Sequence, residues 1–125
     1  MTKKISPRVS PMMVKLYGDE YARQVADRLE ELDPELNTWI QEFPYERGWA
    51  REGLNVRDKS LTTVAALIAM GKEEQARIHM RGFLNAGGTV DELRAAILHL
   101  AIYCGFPASM NAFQALHEVR AQMEK

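Results

Sequence analysis

One cysteine, Cys104, is all that this 125-residue chain contains. No intrachain disulfide can form and no second thiol is present to resolve a first, so nothing points to an oxidising compartment and a cytoplasmic setting is expected. Long apolar runs are missing too. The longest near-continuous one, Val64 to Met70, falls far short of the ~20 residues that cross a bilayer. The two lysines near the start are followed by no long apolar core and no small-residue cleavage site. Charge of one sign is lacking: 16 basic against 17 acidic residues give a net charge of −1, which supplies neither a field for nucleic acid nor a polybasic patch for a membrane. No glycine-rich dinucleotide fingerprint, phosphate loop or Gly-x-Ser-x-Gly elbow occurs, so no cofactor is expected. Strand-like alternation, internal repeats and low-complexity segments are absent as well. The partners left are small molecules and further copies of the chain.

What is there reads as helix. Hydrophobic residues at 46% and charged residues at 26% fit one globular domain over residues 1–125, with residues 1–17 as an N-terminal arm. Residues 1–10 are expected to be an extended leader, with a short apolar turn after Pro11 at Met12, Met13, Val14 and Leu16. From Asp19, the spacing of Tyr21, Val25, Leu29 and Leu32 gives a helical stripe. Asp33-Pro34 supplies an N-cap and a proline at the first helical position, opening a helix with Leu36, Trp39, Ile40 and Phe43 that Pro44 should stop. Residues 44–55 form a loop or broken helix rich in aromatic and charged groups.

Asn55 or Asp58 can cap a helix running to Met70 with Leu61, Val64, Ala65 and Ile68 inward. After Gly71 a helix opens at Glu73 and Glu74, carries Ala76, Met80, Phe83 and Leu84, and stops at Gly87-Gly88. Thr89-Val90-Asp91-Glu92 has the reciprocal capping pattern, and the stripe Leu93, Ala96, Ile97, Leu100, Ala101, Cys104 follows it to Gly105. A last helix carries Ala112, Leu116, Val119 and Met123. The fold class is therefore an all-α bundle of about six helices. Ala65, Ala66, Ala69, Ala95, Ala96 and Ala101 are expected to let helix backbones approach closely. So much apolar surface, seven methionines included, points to subunit contacts and a homo-oligomer.

Chemistry is sparse. His79 lies on one face with Lys72, Gln75 and Ala76, and its ordinary pKa near 6.5 suits proton transfer at neutral pH. His99 reads as a core or interface histidine and His117 as a solvated one. The three share no metal-ligand spacing, so no metal is expected. Tyr45, Glu46, Arg47, Trp49 and Arg51, with Arg57 and Lys59, offer cations for a carboxylate and aromatic walls to exclude water.

The runs Trp49-Ala50-Arg51-Glu52-Gly53-Leu54, Arg57-Asp58-Lys59-Ser60-Leu61-Thr62, His79-Met80-Arg81-Gly82, Asn85-Ala86-Gly87 and Tyr103-Cys104-Gly105-Phe106-Pro107-Ala108 resemble the carboxymuconolactone decarboxylase family. The resemblance implies an alkyl hydroperoxidase D-like helical subunit, assembled as a hexamer or trimer. In the redox branch of the family a glutamate, two cysteines and a histidine stand where this chain has Ser60, Lys72, Gln75 and His79, so peroxidase chemistry is disfavoured. The decarboxylase branch converts 4-carboxymuconolactone to carbon dioxide and an enol-lactone without a cofactor. On that footing the expected catalytic residues are His79 as proton donor, Glu46 and Ser60, and the expected substrate-binding residues are Arg51, Lys59, Trp49 and Tyr45. A small-molecule carboxylate is the expected substrate, and a non-catalytic binder or accessory oligomer is the alternative. The chain departs from the branch pattern at Arg47 and Glu52, where an acid and a proline are usual, with Glu46 displaced by one.

Overall fold

The computed structural model describes residues 8–124. The leader expected over residues 1–10 falls outside the described residues except for its last three. Seven α-helices and one π-helical segment follow, and no strand occurs among the described residues. The six expected helices are all present; the seventh replaces the expected apolar turn. The chain divides into two compact units at the Gly53–Leu54 junction.

The first unit holds α1 (Pro11–Tyr17), α2 (Asp19–Leu32), α3 (Pro34–Ile40) and the π-helical segment Gln41–Gly48. A turn becomes helix at α1 because Ser10 caps it, its Oγ accepting from the Met12 N–H at 3.1 Å, and Pro11 presets the first helical φ. Met13, Leu16 and Tyr17 are buried. In α2 the inward face is rotated from the expected stripe: Ala22 and Ala26 are fully buried and Leu32 is exposed. Small side chains set that face because a neighbouring helix can then approach closely.

At α3 the sequence expectation inverts. Asp33 caps the helix as read, its Oδ1 accepting from the N–H groups of Glu35 and Leu36 at 2.9 and 3.0 Å. Yet the buried face carries Asn37 and Gln41, while Trp39 is 63% and Phe43 70% exposed. A ladder of amides explains the inversion. Gln41 Oε1 accepts from the Ser10 N–H at 2.8 Å, Gln41 Nε2 donates to Asn37 Oδ1 at 3.1 Å, and Asn37 Nδ2 donates to Glu30 Oε1 at 3.0 Å. A fully satisfied polar network of this kind fixes geometry as firmly as apolar packing. Pro44 does not stop the helix either. It sits inside the π segment, where the wider turn separates its ring from the carbonyl it would strike in an α-helix, and Trp49 N–H closes the segment on Pro44 O at 2.7 Å.

The second unit holds α4 (Val56–Ala69), α5 (Glu73–Asn85), α6 (Val90–Cys104) and α7 (Phe106–Met123). Val64, Ile68, Met80, Phe83, Leu93, Ile97, Leu116 and Val119 make its core, largely as the stripes foretold. Its alanines differ from expectation. Ala66, Ala69 and Ala95 are exposed and Ala65, Ala96 and Ala101 only half-buried, whereas Ala76, Ala112 and Ala115 are the buried ones. The buried alanines lie instead on α5 and α7, which pack together. Helices α4 and α5 form a hairpin around Gly71, whose φ of 73° lets Lys72 N–H reach Leu67 O at 2.9 Å. The capping box at Thr89 is formed in both directions.

Candidate functional site

Of the seven candidate residues, Lys59, Ser60 and His79 belong to the second unit, and Tyr45, Glu46, Trp49 and Arg51 to the first.

In the second unit the first turn of α4 is fixed by two anchors. Asn55 accepts from the Asp58 N–H at 2.8 Å, and Arg57 donates to Asp58 Oδ1 at 3.0 Å and to the Glu92 carboxylate. The Arg57 guanidinium also lies 5.1 Å from the centre of the Phe83 ring. Glu92 in turn accepts from the Thr89 N–H at 3.0 Å, so one carboxylate caps α6 and ties it to α4. Arg57 is thereby a brace. Just after it comes Ser60, fully buried, whose Oγ has no hydrogen-bond partner among the described residues. A buried orphan hydroxyl costs about 1–3 kcal/mol, and positions that tolerate such a cost are frequently ones reserved for a ligand. Lys59 beside it is half-buried.

Ser60 lies eleven positions before Gly71 and His79 eight after it. At about 1.5 Å per residue the two therefore stand within about 5 Å of each other along the hairpin axis. His79 is half-buried, and desolvation lowers its pKa from 6.5 to about 4. At neutral pH the imidazole is uncharged. The sign for stability follows: the unfolded chain takes up a proton near pH 6.5 and the folded chain only near pH 4, so acidification across that window favours unfolding. The ring keeps some exposure, which makes about 3 kcal/mol an upper bound. Thermal melts of the wild type should lose stability between pH 6.5 and 4 more steeply than those of His79→Gln; parallel curves would show that the ring is not desolvated.

In the first unit Tyr45 is buried and Trp49 half-buried, their rings stacked 6.3 Å apart at 11°. The Tyr45 hydroxyl lies 2.7 Å from that of Tyr17, whose ring meets Tyr45 edge-on. Burial raises the pKa of both phenols, so both remain protonated throughout the neutral range. Glu46 is exposed and ion-paired with Arg8, which also reaches Glu42 at 2.6 Å. Arg51 is exposed and donates to the Glu52 carbonyl at 2.6 Å. A wide apolar hollow of about 420 Å³, bounded by Leu36, Trp39, Ile40, Glu42, Phe43 and Pro44, includes none of the seven. Reading along the sequence missed the Tyr17 hydroxyl and the Arg57–Glu92 brace, because each depends on a partner some thirty residues away.

Elsewhere His99 is exposed beside Tyr103, so of the core and interface positions expected for it the core one is not found, and His117 is exposed as expected. Cys104 is half-buried. No group of three or more metal-ligating side chains gathers among the described residues, and none of the described helices is long and apolar enough to cross a membrane.

The all-helical architecture of the described residues is that of the alkyl hydroperoxidase D-like fold. Residues 34–118 match the model of the carboxymuconolactone decarboxylase family, and the chain belongs to that family. It is 34% identical over 105 residues to a 4-carboxymuconolactone decarboxylase of Acinetobacter baylyi, covering 84% of this chain and 78% of that one. It is 37% identical over 73 residues to a nitrosuccinic acid decarboxylase of Metarhizium robertsii, covering 58% of this chain and 51% of that one. Both relatives are named as decarboxylases, and the chain stands with them among carboxy-lyase enzymes.

Proposed function

We propose that this chain is a cofactor-independent decarboxylase of a small cyclic carboxylate such as 4-carboxymuconolactone, with His79 as proton donor. The observations that support the reading are a desolvated imidazole and, at about the same height on the same helical hairpin, a buried hydroxyl with no partner among the described residues. Decarboxylation breaks a carbon–carboxylate bond, releases carbon dioxide and pushes the electron pair into a conjugated carbonyl. The site must then stabilise charge on that oxygen and return a proton to carbon. Ser60 donates to the oxygen, His79 supplies the proton, and Lys59 and Arg51 hold the carboxylates. Tyr45 and Trp49 form a wall, and Glu46 is the further acidic group. The neutral resting state of His79 fits this role, since carboxylates arriving beside the ring raise its pKa and let it take up a proton from solvent.

Ser60→Ala separates chemistry from architecture. Removing an unsatisfied buried hydroxyl leaves stability unchanged or raises it by about 1 kcal/mol, while losing a transition-state donor lowers kcat by about 100-fold. Thermal melts and carbon dioxide release, read together, check this. An unchanged kcat removes Ser60 from the mechanism.

The chain assembles with further copies of itself through its exposed apolar faces. Trp39 and Phe43 on the first unit, and Ile102, Tyr103, Phe106 and Met110 across the α6–α7 corner, are all more than half exposed. Patches of this kind mark interfaces. Sedimentation at micromolar concentration should find an oligomer, and a monomer there would refute it.

A further inference from the structure

We infer that Tyr17 is a specificity-determining positioning residue: it holds the Tyr45–Trp49 stack as a flat wall that selects planar, conjugated acids over saturated ones. The inference rests on the proposed role of Tyr45 and Trp49 as the substrate wall. Four rings run in series through the first unit. Tyr21 meets Tyr17 edge-on at 6.0 Å and 89°, Tyr17 meets Tyr45 at 6.1 Å and 74°, and Tyr45 stacks on Trp49 at 6.3 Å and 11°. Tyr17 and Tyr45 in the middle of the series are buried, while Tyr21 and Trp49 at its two ends are half-buried.

A Tyr ring in an apolar pocket can tilt and swing at its far end, and the 2.7 Å contact between the two hydroxyls tethers that end of Tyr45. Packing alone does not need those hydroxyls. A Phe–Phe pair would fill the same space without two desolvated phenols, so the polar pair contributes orientation rather than burial. The orientation passes to Trp49 through parallel faces. An indole fixed in this way offers a π-surface whose attraction depends on a flat partner, and a good stack is worth about tenfold in affinity.

The test uses a matched pair of diacids, trans,trans-muconate and adipate, which share chain length and charge and differ in conjugation. Calorimetric titration of the full chain should show muconate bound about tenfold more tightly than adipate. Tyr17→Phe and Trp49→Leu should each bring the ratio to within about threefold, chiefly by weakening muconate. Tyr17→Phe leaves the Tyr45 hydroxyl orphaned and so loses stability. Tyr17→Phe/Tyr45→Phe removes that penalty and should regain the wild-type melting temperature while keeping the reduced ratio. A merely structural role for Tyr17 predicts recovery of both. Loss of selectivity in Trp49→Leu with selectivity retained in Tyr17→Phe and in the double variant overturns the positioning role and leaves the wall intact. Equal binding of the two diacids by the wild type, binding of neither, or no effect of Trp49→Leu overturns the wall and the inference together.

Discussion

Replacing His79 with asparagine is expected to lower kcat for carbon dioxide release from a muconolactone-type acid by about 10³-fold, with the fold preserved. Asparagine roughly keeps the polarity and reach of the ring but cannot carry a proton to carbon, and general acid catalysis contributes about 10²–10⁴ in rate. The environment of the ring adds a second readout. With a pKa near 4, about one imidazole in a thousand is protonated at pH 7, so the free enzyme holds almost no proton to give. Substrate binding must therefore draw one in. Calorimetric heats of binding measured in buffers of different ionisation enthalpy should report uptake of about one proton per site in the wild type and none in His79→Asn. Wild-type turnover in the variant would remove the imidazole from the chemistry, whatever its pKa.

Gly88→Ala should be the most damaging single methyl group on the second unit. The turn after α5 closes with Gly87 N–H on Leu84 O at 3.3 Å and Gly88 N–H on Phe83 O at 2.9 Å, a paired helix ending in which Gly87 takes the left-handed φ of 101°. Gly88 has no positive φ, so alanine is acceptable to its backbone. Space is the obstacle. A Cβ there would overlap Cε2, Cζ and Cδ2 of the Phe83 ring, which is fully buried and carries Arg57 over its face. The ring has nowhere to retreat without dislodging the brace that sets the first turn of α4. Overpacking of this severity costs about 3 kcal/mol, or about 10 °C in melting temperature for a chain of this size. Lys59 and Ser60 lie two and three residues after Arg57 in the same helical turn, so kcat should fall as well. A melting temperature within a degree or two of wild type would mean that Phe83 has room to move.

What could be read along the sequence was whatever its own neighbours determine. Asp33-Pro34, Asn55 and the Thr89–Glu92 box each satisfy helix-end groups within a few residues, and all three start helices where expected. The α4, α5 and α7 stripes were legible because their apolar spacing meets an apolar core. The face of α3 was not, since its direction is decided by Ser10 and Glu30, outside the helix. Pro44 misled because a proline reports the lost hydrogen bond and not the widened turn that absorbs it. At the candidate site, His79 was visible as a residue type, but its uncharged state depends on burial that no local pattern encodes. The orphaned Oγ of Ser60 was invisible for the same reason, and the family resemblance alone brought it forward.

The amide ladder beneath α3 has a consequence for engineering. Because Asn37 and Gln41 face inward, the hydrocarbon of Leu36, Trp39 and Phe43 contributes little to the interior of its own unit. Those outer positions can be rewritten with charged side chains at small cost to the folded chain, so the proposed self-association would be tuned separately from the scaffold.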